Sequence, residues 1–452
     1  MSADENEDKE ASVRLENLPP IEGFPELVWP GKRPLRSVTW RPSRLRESYG
    51  FATDGWMNRL YHGDNLQAMT HLLKDYRGKV DLVYIDPPFG SNDHYVSFVH
   101  PKGRPAYPIL FTFGETRFVD DWARDEYLQF MYERLILIRE LLSERGSLFV
   151  HCDRCSQHLL RCLLDEVFGA SVKEEGAPGL VNEIVWHHLP EPVNQNDRFA
   201  SSHDTIFWYS KTGRHYFNEI NIAKPGPEES EAEEGGAPGT VWSLGAKAHD
   251  LREAVGYPTQ KPEALLERIV LVASAPGSIV MDCFMGSGTT GAVAMRTGRR
   301  FLGADVCLAS MHTTTKRLVN VARELECMPP ENPLFTGFEV LSVPSGREDS
   351  KPEGDVDVAM VDGRLVICGF RPENLIRKLN VGHDFFDDWR HLADSVYVDW
   401  NYDGEVFRPL VADIPARDEL VKGSYSVPED ASAIRIRVVD VLSEAFDVDI
   451  QA

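Results

Sequence analysis

Cysteine is scarce in this chain: seven in 452 residues, an odd number. No second pair follows Cys152 and Cys155 at the spacing of a zinc ribbon or finger. A disulfide framework is thereby excluded, and a reducing, cytoplasmic setting is expected. His151, His158 and Cys162 lie near that pair, but the stretch starts in an apolar run, so we expect packed cysteines and no metal. Long apolar runs are missing as well, which argues against a membrane span. The opening MSADENEDKEAS is acidic and lacks an apolar segment; it does not read as a signal peptide, and residues 1–30 are expected to form a disordered acidic tail. Positive charge is in short supply, with 48 Lys and Arg against 71 Asp and Glu and a net charge of -23. Taken alone, that balance disfavours a nucleic-acid partner.

The deficit is uneven. Acidic residues crowd the first thirty or so positions, the run Glu228–Glu234 and the C-terminal third. Between Lys32 and Arg59, by contrast, seven cations face only Glu47 and Asp54, with Trp40, Tyr49 and Trp56 interleaved. That strip reads equally well as a basic surface or as an ordinary solvated one.

Strand and helix patterns alternate along much of the chain. Asp81–Ile85 reads as a buried strand ended by Pro87 and Pro88, which cannot donate ladder hydrogen bonds. A helix is expected over 126–142, a turn at 144–146, a strand over 147–151 and a helix over 157–168. Further on, helix 263–273, strand 278–282, helix 288–297, strand 300–305 and helix 309–324 complete an α/β pattern with a largely parallel sheet. We therefore expect a core over 31–90 and 256–328, continued by 91–170. An irregular insertion holding two strand-like pieces, 181–187 and 204–209, and a mobile acidic loop should fill 171–255, and a β-rich accessory domain 329–452.

Two motifs carry chemistry. Gly286, Gly288 and Gly291 form G-x-G-x-x-G directly after a strand that ends in Asp282. Glycines there let backbone approach a ligand closely. The next strand ends in Asp305, a carboxylate placed to accept from ribose hydroxyls. No Gly-Lys-Ser/Thr is present, which excludes a nucleoside-triphosphate P-loop. The second motif is Asp86-Pro87-Pro88-Phe89. An exocyclic amine on a base is a weak nucleophile because its lone pair is delocalised into the ring. Asp86 and the Pro87 carbonyl are suited to accept its two N–H bonds, and Phe89 to stack on a base rotated out of the duplex.

Together these elements resemble the β-arrangement DNA amino-methyltransferases, in which the catalytic motif precedes the cofactor motif. The likeness rests on Asp86–Phe89, on Asp282–Thr290, on Tyr257–Pro262 and on His62–Leu66, and it covers about 58–324. It is strongest toward the modification subunits of type III restriction systems and their stand-alone relatives. What it implies is a Rossmann-like S-adenosylmethionine-dependent methyltransferase fold, with an inserted target-recognition region and a C-terminal β-rich domain. It further implies Asp86, Pro87, Pro88 and Phe89 as the catalytic tetrapeptide. The cofactor would be bound by Asp64, Thr259, Lys261, Asp282, Phe284, Gly286, Gly288, Thr289 and Asp305. Of these, Thr259, Lys261 and Thr289 would lie near the methionine end, where a lysine suits a carboxylate. Asp64 would approach the adenine ring, and Asp305 the ribose.

Asp86 at the head of the tetrapeptide, where cytosine-N4 members mostly carry Ser, points to adenine N6; cytosine N4 is the alternative. Cytosine C5 chemistry would need a Pro-Cys motif, which is absent. Double-stranded DNA, a homodimer and a restriction or phage-defence system are the implied partners. Trp186, His187, His188, Arg198, Lys211 and Arg214 are candidate DNA contacts. A non-catalytic DNA-binding partner subunit is the reading from another class; it would usually have lost the tetrapeptide or the glycines, and both are kept here.

Overall fold

The structure is a computed structural model. It describes residues 11–15, 26–89, 94–99, 101–103, 113–119, 122–170, 177–188, 199–219, 239–244, 253–326, 336–344, 351–382, 386–416 and 418–451. Arg198, the run 228–234 and nearly all of the acidic loop lie outside them.

A ten-stranded sheet forms the centre. Six neighbouring strands run parallel, in the order Leu142–Cys152, Val80–Ile85, Ile279–Asp282, Arg300–Asp305, Asn58–His62 and Phe338–Ser342. Their residues are almost continuously buried, as a sheet covered on both faces requires. Helices Asn65–Tyr76, Arg124–Leu141 and Gln157–Phe168 pack on one face around Met69, Leu72, Met131, Leu135 and Leu164. Helices Glu263–Ala273, Thr289–Arg296 and Leu308–Glu326 cover the other, around Leu266, Ile269, Ala292 and Leu318. From Val80–Ile85 the chain goes on to a strand on one side, and from Ile279–Asp282 to a strand on the other. The crevice between those two strand ends is a topological switch point, where doubly wound folds bind their ligands.

Three expectations need correction. The segment 171–255 is not wholly an insertion, because His203–Ser210 pairs antiparallel with Leu142–Cys152 and Gly179–His187 pairs antiparallel with His203–Ser210, so both continue the central sheet. The turn expected at 144–146 lies inside an eleven-residue strand; it survives as a register shift against Val80–Leu82, with Gly146 packed on the Val80 carbonyl. The tail over 1–30 is partly ordered: Ala11–Arg14 pairs with Ser37–Trp40, and Trp29 is buried against Tyr132. Val13 and Trp29 bury enough apolar surface to hold those pieces down.

The β-rich C-terminal unit is present, with strands Gly354–Val361, Arg364–Pro372 and Ser424–Ser426 in one sheet and Val411–Asp413, Ala393–Asp399, Ala433–Asp440 and Ala445–Gln451 in another. It has its own core, which includes Leu365, Phe370, Val396 and Ile436. Among the described residues no helix is long and apolar enough to cross a membrane, and no group of three or more His, Cys, Asp or Glu is arranged to hold a metal ion.

Candidate active site

The crevice is a cavity of about 380 Å³, a size suited to a small cofactor. Twelve of the thirteen expected site residues line it: Asp64, Asp86, Pro87, Pro88, Phe89, Thr259, Lys261, Asp282, Phe284, Gly286, Thr289 and Asp305. Gly288 does not. A Cβ there would stand 2.8 Å from Thr314, and its φ of +77° is left-handed. Gly288 is therefore needed for close packing of the loop on helix Leu308–Glu326, with no exposure to a ligand. Gly286 is the glycine that faces the space: a Cβ added there would first meet the Tyr257 ring, at 3.4 Å.

Three carboxylates at adjacent strand ends brace the loops. Asp282 Oδ1 accepts from the Phe284 amide at 2.9 Å, and Oδ2 from the Thr290 hydroxyl at 2.6 Å. Burial pushes the Asp282 carboxyl up to about 7, against the pull of those donors. Asp305 accepts from the amides of Gly286 and Cys307, both at 2.8 Å, and burial raises its pKa as well. Asp64 caps helix Asn65–Tyr76, one oxygen accepting from Leu66 and Gln67 and the other from Arg134 at 3.0 Å.

Asp86 differs from all three. Lys261 Nζ donates to its Oδ2, while Oδ1 is buried with no hydrogen-bond partner among the described residues. The resemblance assigned Lys261 to the methionine end of the cofactor; it lines the cavity, and its ammonium lies on Asp86 and 5.9 Å from the centre of the Phe89 ring. Phe89 stacks on His151 at 6.3 Å. His151 is fully buried, bridged to the Tyr84 hydroxyl and to Asp204 at 3.2 Å each, and Asp204 also faces His188. Burial alone would raise Asp204, but the hydrogen bonds from His151 and His188 hold it well below the usual carboxylate range.

Several functional neighbours escaped sequence reasoning. Arg134 is buried, donates to Asn65 at 2.6 Å as well as to Asp64, and lies on the Phe130 ring at 3.4 Å. Phe130 in turn meets Phe284 edge-on and lines the cavity with Trp122. Arg317 donates to Thr289 at 2.8 Å and pairs with Glu263. Burial lowers the pKa of both arginines. An arginine on the helix face that carries Tyr127, Met131, Ile138 and Leu141 was the available signal for Arg134.

The candidate DNA contacts divide by position. His187 and His188 stand at the same sheet edge as the crevice, since Thr205 pairs with Cys152 and His203 with His187. Trp186 is buried, with its indole donating to the Leu244 carbonyl. Lys211 and Arg214 brace Leu142 and Glu144 at the opposite edge. In the basic strip Trp40 and Tyr49 are buried, Lys32 pairs with Glu26 and Glu166, and Arg33, Arg36, Arg41, Arg44 and Arg46 are exposed.

A glycine loop and four acidic strand ends around one switch-point cavity define a doubly wound α/β enzyme that handles a nucleotide-like ligand. The sequence profile of the N6/N4 methyltransferase family, described as DNA methylase, matches residues 80–314, just over half of the chain. The chain belongs to this family. It is 27% identical over 55% of its length to 78% of the DNA adenine methyltransferase YhdJ of Escherichia coli. It is 30% identical over 58% of its length to 93% of the type II methyltransferase M2.DpnII of Streptococcus pneumoniae, and over 63% to 73% of the type II methyltransferase M.BglII of Bacillus subtilis. The methyl donor is S-adenosylmethionine. The cavity fits it in two respects: Gly286 leaves room for close approach, and the aromatic wall of Phe284, Phe130 and Trp122 offers a flat apolar surface.

Proposed function

We propose that this chain methylates the N6 amino group of adenine in double-stranded DNA, and that the Asp86–Phe89 tetrapeptide and the crevice residues above carry the reaction. The observation that carries the reading is Asp86. One oxygen is tethered by Lys261 and the other is a buried acceptor without a partner in the cavity wall. Leaving such an acceptor unmet costs about 1–3 kcal/mol, a cost that a ligand donor removes. The exocyclic N–H of a flipped adenine is such a donor.

When bound, the cofactor supplies an electrophilic methyl group. The chain's own part is orientation and charge. Asp86 accepts from the amine and draws its lone pair out of conjugation, and its negative charge offsets the positive charge that develops on the nitrogen. Phe89, backed by the His151 ring, gives the base a flat surface to stack on. Gly286, Phe284, Thr259, Thr289 and Asp305 hold the donor, while Asp282, Asp64 and Gly288 keep the loops and helix that carry them in place. Adenine is favoured over cytosine N4 by Asp86 itself and by the likeness to a relative named as an adenine methyltransferase. From the family resemblance the reading extends to a homodimer acting in a restriction or phage-defence system.

Incubation with labelled S-adenosylmethionine and mixed-sequence DNA tests this directly. Asp86→Ala should reduce incorporation by about 10³-fold or more, with cofactor binding retained. Equal incorporation by wild type and Asp86→Ala would sink the catalytic assignment, and label found in cytosine would sink the choice of base.

A further inference from the structure

The chain leaves the cavity wall at Phe89 and rejoins it at Trp122. Between these points lies an antiparallel ribbon, His94–Val99 paired with Phe113–Val119. A six-residue strand spans roughly 20 Å, enough to reach well away from the crevice. Beyond the ribbon's far end, Lys102 and Gly103 are seated on the C-terminal unit. The Lys102 amide donates to the His391 carbonyl at 2.8 Å, and His391 Nδ1 donates back to the Lys102 carbonyl at 2.6 Å. Lys102 Nζ pairs with Asp394 at 3.1 Å. Gly103, at φ +84°, lies so near Leu420 that a Cβ would come within 2.4 Å of it.

Asp394 joins this seat to the cofactor side of the enzyme. Its second oxygen holds Lys316, on helix Leu308–Glu326. The next residue on that helix, Arg317, donates to Thr289 and to the Ser287 carbonyl beside the glycine loop. One carboxylate thus ties the ribbon that follows the catalytic tetrapeptide to the helix that supports the cofactor loop.

An interface built for stability alone is better served by apolar contact. Side chains of Lys102 and Asp394 are only 14% and 17% exposed, so each gives up most of its hydration to form the pair. What such a pair supplies is direction. We infer that the C-terminal unit is a positioning device for the base-stacking wall of the crevice, with Lys102 and Asp394 as positioning residues. Through them it fixes where the chain leaves the base-stacking wall at Phe89. The inference rests on the methyltransferase reading and gives the accessory unit a role in placing the target base.

The test uses the full chain carrying Lys102→Met, with Lys102→Arg as the conservative partner. Three quantities are measured: hydrogen exchange of the ribbon amides at 94–99 and 113–119, steady-state kinetics on DNA, and calorimetric affinity for S-adenosylmethionine. Lys102→Met should speed ribbon exchange and reduce kcat/KM for DNA by about tenfold, a size typical of coupling between sites. Cofactor affinity should stay at the wild-type value, and Lys102→Arg should restore both of the altered quantities. Unchanged exchange and kinetics would overturn the inference. So would a loss of DNA kinetics matched by an equal loss of cofactor affinity, which is how a mere stabilising cap behaves. If the wild type transfers no methyl group to DNA, the functional reading fails by itself, and the exchange comparison still decides whether Lys102 anchors the ribbon.

Discussion

Buried charge is concentrated in two regions, the crevice and the junction with the C-terminal unit, and the two treat it differently. At the junction Arg437 lies between Glu47 and Asp447, and Asp394 between Lys316 and Lys102. These are protein charges met by protein charges, and the geometry is closed. In the crevice Asp86 keeps an unmet oxygen, and burial pushes the Asp282 carboxyl up to about 7. Unmet acceptors and displaced pKa values occur elsewhere too, as at Asp440, but of the unpartnered buried side-chain atoms among the described residues only Asp86 Oδ1 belongs to a residue lining the cavity, where a ligand donor can reach it. The Lys102–Asp394–Lys316 network is closed and sets geometry; Asp86 in the cavity wall is open to a ligand.

The largest effect that bears on this contrast is expected at Lys261. Lys261→Met removes the tether of Asp86 and should lower kcat by about 100-fold, the cost of slight misplacement of a reacting group. The KM for S-adenosylmethionine should hardly move. A large rise in that KM with kcat preserved would return Lys261 to the cofactor's carboxylate, where the family resemblance put it.

Glycine substitutions sharpen the boundary between supporting frame and ligand space. Gly288→Ala forces a Cβ onto Thr314 at a left-handed φ and should cost about 1–3 kcal/mol in thermal or denaturant melting. Gly286→Ala is also left-handed, at φ +54°, but its Cβ makes only ordinary contacts with the Tyr257 ring and the Phe284 carbonyl, so it should cost less in melting than Gly288→Ala while weakening cofactor binding by calorimetry. The opposite ranking would mean that the loop sits differently on its helix.

A smaller effect is expected at His312, which lies near Glu47, Arg437 and Asp394 at the junction; burial lowers it from 6.5 to about 4. Here the folded state binds fewer protons than the unfolded one. Stability should therefore be complete above about pH 6.5 and fall as the pH drops toward 4, by on the order of 1 kcal/mol. His312→Asn should flatten that part of the profile, and an unchanged acid slope in the variant would remove His312 as its source. Smallest of all, Lys211→Ala and Arg214→Ala should leave DNA affinity within about twofold of wild type in a filter or anisotropy assay. Both side chains brace the sheet edge opposite the crevice. A strong loss of binding there would place DNA on the wrong end of the sheet.

Much of the fold was legible because its signals are local. Helices Gln157–Phe168 and Glu263–Ala273 and strand Arg300–Asp305 fall where periodicity and strand-end residues put them. Gly179–His187 and His203–Ser210 were legible as strands, but they join the main sheet only because His203–Ser210 pairs with Leu142–Cys152, a long-range contact that leaves no local mark. The same limit explains Lys211 and Arg214: a cation looks alike on either edge of a sheet, and only strand direction says which edge it occupies.

By itself the sequence determined the chemistry at hand: an acidic proline-locked tetrapeptide, a glycine loop and carboxylates at strand ends, all encoded in short contiguous stretches. Tertiary structure alone decided which groups complete one another. Asp86 with Lys261, Asp64 with Arg134, Phe89 with His151 and Lys102 with Asp394 are partners separated along the chain but brought within a few ångströms. Electrostatic and stacking forces act through space, and proximity in space is set by how the sheet is wound.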